Sequence, residues 1–127
     1  MRSQIIRGFA YLDLCITLPF ALPFVAEGLV IFIYRVDFAL GFGSTAPVLD
    51  PLSLMFIHIM GVLGVVWALT RIREPSEILA RRDGLGRLVV AAWIVHAITW
   101  SASPVLWLFV FTELAGSVMQ LRRPPAD

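Results

Sequence analysis

The chain has 127 residues, 59% of them apolar and 15% charged, with a net charge of +1 and a mean hydropathy of +0.86. Soluble domains average about 45–50% apolar and 25% charged, so an ordinary soluble globule is excluded, and the length leaves no room for a separate soluble domain. The apolar excess falls into four runs separated by short charged stretches, the pattern of a polytopic membrane protein. The fold class read from this is all-α: residues 1–127 form one antiparallel four-helix transmembrane bundle, with spans near 9–34, 52–72, 88–103 and 105–121.

The first span follows a short N-terminus carrying Arg2 and Arg7. A basic start and an apolar middle resemble a signal peptide, but the small-residue cleavage pattern is poor and apolar sequence continues to Tyr34, so the segment reads as a retained span. Within it the tripeptide Leu-Pro-Phe occurs twice, placing Pro19 and Pro23 in mid-span. Each proline removes a backbone donor and clashes with the preceding turn, which predicts a kink. Asp13 lies near the cytoplasmic end and reads as an ion-pair partner for Arg7, Arg71 or Arg87.

Residues 35–51 are rich in glycine and proline and read as a loop. Asp50 and Pro51 have the chemistry of a helix N-cap and first helical residue, so they should open the second span. In that span Gly61 and Gly64 leave a smooth patch for a helix or a flat ligand. The stretch from Arg71 to Arg87 is the most charged. There, Pro75-Ser76-Glu77 suggests a short interfacial helix ending near Gly84 or Gly86. Ser101-Ala-Ser-Pro104 reads as a tight turn between the third and fourth spans, and the tail from Arg122 to Asp127 is polar.

All ten basic residues are arginine. Nine of them fall at the termini or between the second and third spans, and only Arg35 lies on the other side. Arginine-rich short loops stay in the cytoplasm, which predicts both termini inside. A lysine-free, arginine- and alanine-rich composition points to a bacterial inner membrane. Arginines flanking apolar spans are topology signals rather than a nucleic-acid surface, and the single Cys15 permits no intrachain disulfide.

Counting from the outer end of each span, Glu27, His58 and His96 each lie seven residues in, or about 10 Å deep. Glu113 is slightly deeper, at about 13–14 Å. Ionisable groups inside spans mark functional sites by default. Two imidazoles and two carboxylates at one level make His58, His96, Glu113 and Glu27 candidate ligands of a metal ion. His58 and His96 could instead hold a b-type haem, with the glycines of the second span making room for the ring. No Glu-x-x-His pair occurs, which counts against a di-iron site specifically, and the lack of a catalytic motif leans the reading away from an enzyme without deciding it. The leading expectation is a metal- or haem-binding or accessory subunit of a larger redox or metal-handling membrane assembly. Two alternatives remain: a small proton- or cation-coupled transporter acting as a homo-oligomer, and a structural partner whose polar band only fixes helix register.

Overall fold

The computed structural model describes residues 2–122; Arg123 and the rest of the tail lie outside the described residues. The described part contains five α-helices and no strand. These are α1 (Arg2–Ala21), α2 (Val25–Ala39), α3 (Pro51–Arg73), α4 (Glu77–Thr99) and α5 (Trp107–Leu121), with a 3-10 turn at Pro104–Leu106 before α5.

Two helical stretches, Pro51–Arg73 and Pro104–Leu121, are long and apolar enough to cross a membrane, with mean hydropathies of 2.2 and 1.4. Helices α1 and α2 make a third candidate if taken as one broken span. The expected continuous segment at 9–34 is thus two helices, bent by 105° across a short break. Pro19 lies inside α1, while Pro23 and Phe24, the latter at φ 66°, lie in the break. With no N–H on Pro23, the Pro19 carbonyl instead accepts from the Leu22 N–H at 3.3 Å. The Thr17 hydroxyl donates to the Asp13 carbonyl one turn back, at 2.8 Å.

Helix α3 begins as its sequence dictates. The Asp50 carboxylate accepts from the Ser53 N–H at 2.9 Å and Pro51 occupies the first turn, satisfying one orphan donor of the helix start. Ser76 caps α4 in the same way through the Leu79 N–H. The expected helix stop at Gly84 or Gly86 is a correction: α4 runs unbroken from Glu77 to Thr99. Glycine ends a helix mainly by adopting a left-handed conformation, and here it serves close packing instead. A Cβ on Gly84 would lie 2.8 Å from Leu121 Cγ, and the Gly84 carbonyl accepts from the Ser117 hydroxyl at 2.8 Å.

Packing is pairwise. Helix α1 lies along α3 and α4 along α5, with fewer contacts joining the pairs. Gly61 meets the backbone of Phe20 and Ala21, and Gly64 meets the Thr17 side chain. In the other pair Gly116 faces the Arg87 side chain. Because no side chain intervenes at these glycines, the helices approach closely enough for short polar groups to meet across them.

Candidate functional site

Helical spacing stacks polar groups on facing sides of these pairs. On α3, Trp67 and Arg71 are one turn apart; on α4, Asp83 and Arg87 are one turn apart, so each pair projects from one face. Asp83 is the hub. Its Oδ1 accepts from the Trp67 indole N–H at 2.8 Å. Its Oδ2 accepts from Arg71 Nη1 at 2.7 Å, Arg87 Nε at 2.8 Å and Gln120 Nε2 at 3.1 Å. Both guanidinium groups also pair with Asp13 of α1, and Arg87 Nη1 reaches Glu113 of α5 at 3.2 Å.

Four helices therefore meet at one ionic core. Arg71 is 0% exposed and Gln120 is likewise fully buried. Desolvating such charges is expensive unless each finds partners, and the forked guanidinium shape lets one arginine bridge carboxylates on different helices. The Arg71 guanidinium also lies over the Trp67 ring, 5.7 Å from its centroid, within cation–π range.

Beside this core lies a cavity of about 470 Å³, bounded by residues of all five helices and the 3-10 turn. Its walls are almost wholly apolar, and Thr17, Tyr34 and Glu113 supply the polar groups. Glu113 belongs both to the ionic core and to the cavity wall.

No protein-family profile, curated protein or solved structure matches the chain. The site is therefore read from its own chemistry.

The sequence-derived ligand candidates occupy different surroundings. The His58 Nδ1–H donates to the Phe20 carbonyl at 2.9 Å, one of the last four carbonyls of α1, which a helix leaves unsatisfied. The His96 ring is exposed and packs against Trp93 and Trp100, with centroids 5.5 and 5.9 Å away. Glu27 stands in the first turn of α2 with Oε2 buried and no hydrogen-bond partner. Glu113 is held by Arg87. Among the described residues, no three His, Cys, Asp or Glu side chains gather as ligands of a metal ion. Gly61, the glycine expected to leave room for a ring, packs on the α1 backbone at Phe20 and Ala21 and also lines the cavity.

Of the partners foreseen for Asp13, Arg71 and Arg87 are both engaged, whereas Arg7 donates to the Ile72 carbonyl at 3.2 Å. The charges between the second and third spans are thus not all loop charges: Arg71 and Arg87 are core residues. Sequence reasoning also passed over Asp37. That side chain is 1% exposed and accepts from the Ser103 hydroxyl at 2.5 Å and the Ser44 N–H at 2.8 Å. It ties the end of α2 to the turn before α5. An aspartate at an apolar helix end, opposite the Ser-Ala-Ser-Pro turn, was the available signal.

Proposed function

We propose that the protein is a polytopic inner-membrane protein that holds a lipid-soluble small molecule within the bilayer. The observation that carries this reading is the apolar cavity of about 470 Å³ set against the ionic core. Small-molecule pockets span roughly 300–1,000 Å³, with apolar walls and a few placed polar groups. Within a membrane such a cavity is reached from the hydrocarbon phase, so its occupant would partition there first.

The reading places four crossings in an antiparallel bundle, with α1 and α2 forming one crossing broken at Pro19 and Pro23. Contact order supports it: Asp13, Thr17 and Phe20 meet Arg71, Gly64 and Gly61 in turn, while Gly84 and Arg87 meet Leu121 and Gly116. Numbers rising on one helix fall on its neighbour in both pairs. Helix α4 crosses despite its charges because Asp83 and Arg87 are neutralised within the bundle. With Arg71 and Arg87 in the core, the remaining arginines divide seven to one, which supports both termini in the cytoplasm.

Two measurements test the proposal. In a Cys15→Ser background, a cysteine at Thr45 should react with a membrane-impermeant maleimide added outside, and one at Glu74 should not. A neutral apolar photoprobe in nanodiscs should label cavity peptides, and Val30→Trp, Val90→Trp and Phe109→Trp combined, which narrow the cavity from three helices, should weaken that labelling. Equal labelling of a folded narrowed variant refutes the binding reading.

A further inference from the structure

Charge balance at the cavity wall narrows the ligand class. This step rests on the reading of the cavity as a ligand site. With its carboxylates ionised, the core holds, among the described residues, three anions (Asp13, Asp83 and Glu113) against two cations, Arg71 and Arg87. One negative charge is in surplus.

Geometry says where it resides. Asp13 is bridged by both guanidinium groups, and Asp83 accepts from four donors. Glu113 receives one guanidinium N–H, at 3.2 Å, the longest ion pair of the core. Its side chain is also the most exposed of the core's charged members, at 19%, and it is the core carboxylate that lines the cavity. In a low-dielectric setting an uncompensated carboxylate attracts a counter-charge strongly.

The cavity dictates what form that counter-charge takes. A hydrated metal cation would have to exchange its water for several oxygen ligands, and no ligand group of that kind is present among the described residues. Phe20, Tyr34 and Phe109 line the same space, and aromatic faces attract organic cations, quaternary ammonium above all. Apolar walls, aromatic rings and one under-compensated carboxylate together favour an apolar body bearing a single positive charge.

We propose that the cavity binds an amphiphilic organic cation, an alkyl or aryl ammonium, with Glu113 as its counter-ion. The test uses a matched pair of alkyl-diazirine photoprobes, one headed by trimethylammonium and one by hydroxyl, irradiated with the full-length protein in nanodiscs. Labelled peptides are mapped by mass spectrometry. The ammonium probe should half-saturate cavity peptides at a concentration at least about tenfold lower than the hydroxyl probe, equivalent to 1.4 kcal/mol. Glu113→Gln should erase that preference, bringing the two half-saturation concentrations together. The variant should fold, since two arginines then face two aspartates.

If Glu113→Gln does unfold, the probe comparison in the parent protein decides alone. Equal labelling of cavity peptides by both probes overturns the cation assignment while leaving the binding reading intact. Labelling by neither overturns both.

Discussion

Replacing Asp83 with Asn tests whether the ionic core holds the helices together. The asparagine side chain keeps the shape but presents an NH2 where one oxygen stood. Turned towards the Oδ1 position, that NH2 faces the Trp67 indole N–H; turned towards the Oδ2 position, it faces Arg71, Arg87 and Gln120. Neither orientation avoids donor against donor. The two charge-assisted bonds at 2.7 and 2.8 Å are each worth about 1.5–3 kcal/mol, and breaking a buried ion pair costs about 3–5 kcal/mol. We expect Asp83→Asn to lose about 3–5 kcal/mol in an SDS titration of detergent-solubilised protein, followed by helical circular dichroism and tryptophan fluorescence. Trp67→Phe should cost about 1 kcal/mol in the parent and less when combined with Asp83→Asn, because the clashing N–H is gone. A loss below about 1 kcal/mol for Asp83→Asn, near the average for point mutants, would refute the claim that this core is desolvated and mutually paired.

Other outcomes follow from the same contacts. Gly61→Leu should separate α1 from α3, because even a Cβ would overlap the backbone of Phe20 and Ala21; overpacking costs about 1–3 kcal/mol, and a spin-label pair on the two helices would report the increased distance. Ser103→Ala should lower the melting temperature by removing the hydroxyl that donates to buried Asp37; an unchanged melting curve counts against that tie. His96→Ala should change stability by no more than about 0.5 kcal/mol, since its ring is exposed and meets Trp93 and Trp100 at its own helix end. The Asp50 carboxyl lies below its ordinary value of 3.8, chiefly through the Ser53 N–H. A lowered folded-state value stabilises the fold above the unfolded value and loses that contribution as pH falls through the folded one. Acid melting of the parent should therefore steepen below pH 3.8, and Asp50→Asn should flatten that limb.

The sequence by itself determined where two of the helices begin. Asp50-Pro51 and Ser76 are caps whose chemistry is local, whereas the start of α2 at Val25, inside the expected first span, was not legible. Apolar runs of spanning length at 52–72 and 105–121 correspond closely to the observed stretches Pro51–Arg73 and Pro104–Leu121. Rotation about each helix axis was not available in this way. Residue counting sets Glu27, His58, His96 and Glu113 at one level as an expectation, yet His58 turns to an α1 carbonyl, His96 to its own tryptophans and Glu113 to Arg87. Which face meets which neighbour depends on where glycines admit a neighbouring helix, as Gly61 admits the α1 backbone and Gly84 the α5 side chains of Leu121 and Gln120. The same contacts drew Arg71 and Arg87 out of a presumed loop and into the core with Asp13 and Asp83. Height along a helix is set by covalent geometry, whereas azimuth is set by packing, and only the tertiary structure supplies the packing.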